Sequence, residues 1–156
     1  MSLQDQADRL RALPFSQILK DKANQGVLTV TKDTSVADAS AILSREKVGA
    51  VIVSEDGVHP QGIVSERDIV RELGARGTGC LTDPVSAIMT EKLIGCVPGD
   101  RAIAVLQKMT EGRFRHMPVM DGDEMVGLVS IGDVVKARLE ELGQQAESLK
   151  SMIMGY

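Results

Sequence analysis

The sequence predicts an α/β protein of the α+β kind: two tandem β-α-β-β-α repeats related by a pseudo-two-fold axis, with a further helix at each end. Three observations carry that reading. The chain writes one phrase twice, GIVSERDIV from Gly62 and GLVSIGDVV from Gly127, so that Ser65 and Ser130, like Asp68 and Asp133, stand 65 residues apart. Each phrase ends a longer stretch in which the same signals come in the same order. Within each stretch, apolar residues at helical spacing are followed by short β-type runs separated by an Asp-Gly dipeptide.

The elements follow in turn. Residues Val27 to Arg71 align with Leu93 to Lys136, with one extra residue in the first copy near Val58-His59-Pro60. VLTV opens the first copy as a strand, matched by the weaker LIGCV. A helix start follows, DTSVADA or PGDRAIA, where Thr34 and Asp100 are the expected N-caps because their oxygens can satisfy free backbone N–H groups. Across 36–45, Val36, Ala39, Ile42 and Leu43 form one apolar face. AVIV and HMPVM read as strands, Asp56-Gly57 and Asp121-Gly122 as turns, and GIV and GLV as the next strands. A second helix starts at Ser65 or Ser130. A unit of about 50 residues buries little surface alone, so the two copies are expected to share a core, packed sheet to sheet. GARGTGCLTDPVSAIM between them reads as a linker. Gln4–Leu13 and Val134–Met154 read as the flanking helices. The latter carries Leu139, Leu142, Ala146, Leu149 and Ile153 at helical spacing, for which a second copy is the simplest partner.

Composition narrows the function. The 156 residues are 43% hydrophobic but 2% aromatic, so the core must be aliphatic and methionine. A net charge of −4, with no aromatic platforms, argues against a nucleic-acid surface. Cys80 and Cys96, outside any CxxC spacing, read as free buried thiols of a reducing compartment. MSLQDQADRLRALPF lacks the apolar core of a secretory signal, and no apolar run approaches the ~20 residues of a membrane span, so a cytoplasmic protein is expected. There is no GxxxxGK[ST] and no HExxH. Gly77-Thr-Gly79-Cys-Leu-Thr82 only approaches GxGxxG, and His59 and His116 are the sole histidines. The expectation is a protein that is not an enzyme and holds no metal.

The repeated Ser-x-x-Asp supports two readings. It is close to a capping box, in which serine caps the helix and the acid reaches back to the serine N–H, although such boxes prefer Glu or Gln to the shorter Asp. It also suits a nucleotide. A helix N-terminus favours phosphate, a first-turn carboxylate can accept a ribose diol, and Gly62 and Gly127 permit close approach. Arg113, Arg115 and His116 gather ahead of a strand. Alternation along it turns either Arg115 or His116 toward whatever covers the sheet. Arg67, early in a helix, opposes the helix dipole unless an anion or its acidic neighbours offset it.

With these residues in place, the repeat resembles the CBS (cystathionine-β-synthase) domain, and the pair resembles a Bateman module of the small stand-alone bacterial kind. The likeness spans Phe15 to Leu142. It rests on the duplicated G-aliphatic-aliphatic-Ser-x-x-Asp ending and on Met89-Thr90 ahead of the second copy. It implies repeats at 15–77 and 84–142, a helical tail at 143–156, and a non-catalytic regulatory module with no required cofactor. AMP, ADP, ATP or NAD, sometimes S-adenosylmethionine, would bind in two clefts between the repeats. One cleft would use Ser130, Asp133, Arg115 and His116, with Leu28 and Val48 against adenine. The other would use Ser65, Arg67 and Asp68, with Ile94 and Phe114. Gly49 and Ala50 stand where Arg115 and His116 would be, which leaves Arg67 to compensate. The family also implies a disc-shaped homodimer and a regulated protein partner; the competing reading is a ligand-independent dimerisation subunit.

Overall fold

The computed structural model describes residues 27–154; the Gln4–Leu13 segment and the start of the first repeat lie outside them. The chain forms two compact units, one of Val27–Ile94 with Gly122–Val126, the other including Gly95–Asp121 and the chain from Gly127 onward.

In the first unit, β1 (Thr29–Val30), β2 (Ala50–Val53) and β3 (Gly62–Ser65) form one sheet in that order. β1 runs parallel to β2 with Val30 opposite Val53. β3 runs antiparallel to β2 with Ala50 opposite Ser65. All four residues of β2 are buried, as expected of a central strand covered on both faces. Helix α1 (Val36–Glu46) lays Val36, Ala39 and Leu43 on this sheet, spaced three and four apart as the sequence predicts. Its N-cap is Ser35 rather than Thr34: the Ser35 hydroxyl accepts the Asp38 N–H at 3.0 Å, while the Thr34 hydroxyl lies 3.3 Å from that of Thr31. Helix α2 (Glu66–Arg76) follows β3 directly.

The expected linker is ordered. Residues 77–82 form a 3-10 turn with Cys80 fully buried, so the near-GxGxxG closes a helix instead of opening one. Arg76 holds the turn to α2 through Glu72 and to its far end through Asp83, both at 2.8 Å. Beyond Pro84, Val85 and Ile88 enter the same core as Val30, Val36 and Val64. Ile63 and Thr90 exchange backbone bonds of 3.0 and 2.9 Å. The start of the second repeat, as drawn on the sequence, therefore packs with the first. Gly62 is explained by this segment and not by a ligand: a Cβ there would stand 2.5 Å from Met89 Sδ and 3.2 Å from Thr90 O. A Cβ on Gly127 would meet nothing closer than 3.8 Å.

β4 (His116–Asp121) and β5 (Glu124–Ser130) pair around Gly122-Asp123; β4 and the part of β5 from Gly127 belong to the second unit, the turn and the start of β5 to the first. The weak LIGCV run contributes one parallel bridge, Cys96 to Val119, in place of a strand. Helix α3 (Ala102–Gly112) packs Ala102, Val105 and Met109 against Met117, Val119 and Val129. Asp100 is not its N-cap. The cap is Arg101, and Asp100 Oδ2 instead accepts the Val97 N–H at 3.0 Å, closing the preceding turn. Helix α4 (Ile131–Met154) runs unbroken through the expected boundary at Leu142. It buries Val134 and Ala137 in the core and exposes Leu139, Leu142, Leu149 and Ile153.

Candidate functional site: two serine–aspartate corners

At the first corner, Ser65 ends β3 and caps α2. Its hydroxyl accepts the Asp68 N–H at 3.3 Å, and Asp68 Oδ2 accepts the Ser65 N–H at 2.9 Å and the Ser65 hydroxyl at 3.0 Å. The second oxygen, Oδ1, accepts from Arg71 Nη2 at 2.8 Å, and Asp68 is buried. At the second corner, Asp133 Oδ2 accepts the Ser130 N–H at 2.9 Å and the Ser130 hydroxyl accepts the Asp133 N–H at 3.2 Å. The reciprocal box is thus built in both repeats, and Asp spans it despite its missing methylene. The two uses of the motif are compatible, because a carboxylate offers about four acceptor positions and the box fills only part of them.

Each helix also begins on the backbone of the preceding strand entry. Glu66 N donates to Gly49 O at 2.9 Å and Ile131 N donates to Arg115 O at 2.8 Å. This bond fixes the alignment of the repeats: Gly49-Ala50 and Arg115-His116 occupy the same place. In the second unit a basic pair therefore stands at the helix N-terminus beside Ser130 and Asp133. In the first unit that place is neutral.

Arg115 is exposed and His116 half-buried, while Met117, Pro118 and Val119 are all buried, so strict alternation does not hold along β4. Arg113 is exposed at the left-handed C-cap of α3, φ 57°, matched by Lys47, φ 56°, after α1. Arg67 is exposed in the first turn of α2 and has no hydrogen-bond or ion-pair partner among the described residues. The expected base-flanking residues divide. Leu28, Val48 and Ile94 present apolar surface to solvent. Phe114 is half-buried against the core of its own unit, and its ring covers Gly112, where a Cβ would clash with it.

Sequence reasoning missed one polar cluster. His59 Nδ1 bonds Asp56 Oδ2, and His59 Nε2 lies 3.6 Å from Asp123 Oδ2. Asp56 opens the first Asp-Gly turn and Asp123 directly follows the glycine of the second, and a histidine three residues from Asp56 was the available signal. The cysteines match expectation: both are free and buried, and burial pushes the Cys96 thiol up to about 11. No helix among the described residues is long and apolar enough to cross a membrane.

Comparison with known proteins agrees with this architecture. The CBS domain family model matches twice, over residues 19–75 and 85–140. A mitochondrial CBS domain-containing protein of Arabidopsis thaliana is 36% identical over 148 residues, covering 90% of this chain and 72% of the relative. Another CBS domain-containing protein of that plant matches at 31% identity over 24% of its own length. The crystal structure of a CBS-domain containing protein from Agrobacterium tumefaciens superposes with a TM-score of 0.73 at 37% identity, over 79% of this chain and 97% of that one. A CBS domain protein of Pyrobaculum aerophilum, solved in complex with AMP, superposes with a TM-score of 0.63 at 26% identity, over 69% of this chain and 82% of that one.

Proposed function

This chain belongs to the CBS domain family, with two such domains in tandem, and from that premise we propose that it is a regulatory module that binds adenine nucleotides (AMP, ADP, ATP or NAD) and signals to a protein partner by a change of shape. One observation carries the reading: the Ile131–Arg115 backbone bond sets the basic pair Arg115-His116 at the N-terminus of α4, beside the Ser130–Asp133 box. A helix N-terminus with flanking cations favours phosphate, and the carboxylate one turn away suits ribose hydroxyls. Ser130, Arg115 and His116 take the phosphate and Asp133 the ribose. Ser65, Arg67 and Asp68 form the second, weaker set, since the neutral Gly49-Ala50 stands there in place of the basic pair. Leu28, Val48, Ile94 and the remaining face of Phe114 are the apolar surfaces for adenine. The AMP-bound Pyrobaculum aerophilum relative supports the choice of ligand class.

Calorimetry with AMP, ATP and NAD tests it. At least one is expected to bind below millimolar concentration. Asp133→Ala, by removing a charged hydrogen-bond acceptor of about 1.5–3 kcal/mol, should weaken the tighter event roughly 10- to 100-fold. No heat with any of them at millimolar concentration rejects the reading.

A second reading, ligand-independent dimerisation, is favoured by the exposed stripe on α4. Val135, Leu139, Leu142, Ala146, Leu149 and Ile153 recur at steps of four and three, the period of a helix seam. On this reading two copies pair through α4, and added nucleotide leaves both the oligomer mass and the melting temperature unchanged.

A further inference from the structure

We propose that His59 is a pH-dependent clip between the loop joining β2 to β3 and the turn joining β4 to β5, closed while the imidazole is protonated and released once it is neutral. Both segments belong to one compact unit. One side of the clip is rigid. Asp56 Oδ1 accepts the Val58 N–H at 2.9 Å and the His59 N–H at 2.8 Å, with the buried Ser54 hydroxyl at 3.1 Å. Its other oxygen meets His59 Nδ1. These bonds, led by that from the His59 backbone, hold the Asp56 carboxyl far below the usual carboxylate range.

An ionised acceptor at Nδ1 fixes the tautomer. Nδ1 keeps its hydrogen, so the proton that leaves an imidazolium is the one on Nε2. That nitrogen faces Asp123 Oδ2 at 3.6 Å. When charged, it presents N–H⁺ to the carboxylate and attracts it. When neutral, it presents a lone pair and repels it. The contact changes sign with one proton. The charged groups facing the ring are Asp56 on its own loop and Asp123 and Glu124 on the opposing turn, all acidic. The Asp56 hydrogen bond, then its charge, then Asp123 and Glu124 raise His59 above its ordinary 6.5. A base raised on folding contributes its stabilisation fully below 6.5 and loses it as pH rises through the raised value. The clip therefore opens on the neutral-to-alkaline side.

A backbone bond reports the state. Met125 N donates to Val58 O at 2.8 Å, spanning the same two turns. β3 and β5 lead from these turns to Ser65 and Ser130, so the clip lies upstream of both corners.

The test is an NMR titration of the two histidines combined with hydrogen exchange at the Met125 amide, corrected for intrinsic exchange. Native, Asp56→Asn, Asp123→Asn and His59→Gln proteins are compared. The substituted side chains are about half to nine-tenths exposed, so the fold should tolerate the changes. His59 should titrate above 6.5 in the native protein, lower in Asp123→Asn and lowest in Asp56→Asn. Met125 protection should fall as pH crosses the native His59 midpoint and should lose that step in His59→Gln. A native midpoint at or below 6.5, an unmoved midpoint in Asp123→Asn, or the same Met125 step in His59→Gln overturns the proposal.

Discussion

The two serine–aspartate corners share their backbone geometry and differ in their surroundings. Each has a strand ending in serine, a reciprocal box with a 2.9 Å return bond, and a helix whose first N–H is anchored on the preceding strand entry. At Asp68 the second oxygen is engaged by Arg71 and the anchoring backbone is Gly49-Ala50. At Asp133 the anchoring backbone is Arg115-His116. The box is therefore part of the scaffold that both repeats of this chain share. On the nucleotide reading, it is the residues around the box, Arg115-His116 against Gly49-Ala50, that separate the two corners.

The largest test of the shared scaffold lies beneath the corners. Val64 and Val129 hold equivalent positions, each fully buried, in separate cores. Val64→Ala and Val129→Ala should each cost about 2 kcal/mol, from lost burial and the cavity left behind. Urea unfolding measures both, and costs differing by more than about 1 kcal/mol would break the equivalence of the two halves.

Removing the caps is next in size. Ser65→Ala and Ser130→Ala should each cost about 1 kcal/mol. The loss should be somewhat larger at Ser65, whose hydroxyl also reaches Asp68 Oδ2 at 3.0 Å. On the nucleotide reading, Ser130→Ala should in addition weaken the tighter binding event more than Ser65→Ala does. Equal affinity losses would mean that the basic pair adds nothing to the second corner.

Much of this was legible in the sequence, because repetition, periodicity and turn dipeptides are local signals. α1, β2, β3 and β4 fall where the apolar spacing puts them, and Ser65, Asp68, Ser130 and Asp133 sit at helix starts as read. The misses are non-local. Thr34 and Ser35 are equally good caps by type, and the start of α1 is held by a distant segment, with Val36 N donating to Asp83 O at 2.9 Å and Val85 N to Thr34 O at 2.8 Å. Gly62 reads as room for a ligand until Met89 arrives from 27 residues away. A Gly-rich run closed by Asp-Pro reads as a linker because nothing local tells that Val85 and Ile88 will complete the first core. Likewise, the pairing of His59 with Asp123 depends on two turns 64 residues apart in the chain.

The smallest effect concerns the other end of the first helix in each repeat. Lys47 and Arg113 both take up the left-handed conformation after α1 and α3, at φ 56° and 57°, and are the sole non-glycine residues with positive φ among those described. A side chain costs about 1–2 kcal/mol there, and glycine would remove that strain while losing some of it to greater freedom in the unfolded chain. Lys47→Gly and Arg113→Gly should therefore each stabilise by about 0.5–1 kcal/mol in urea unfolding. Strain kept at matched positions suggests a use for the side chain, and the two corners assign that use differently. Arg113 stands two residues before Arg115, so on the nucleotide reading its loss should also lower nucleotide affinity, measured by calorimetry. Lys47 precedes the neutral Gly49-Ala50 entry, and its loss should leave the tighter binding event unchanged. Equal changes in affinity at both positions would show that the basic cluster of the second repeat is no more than a solvated helix end.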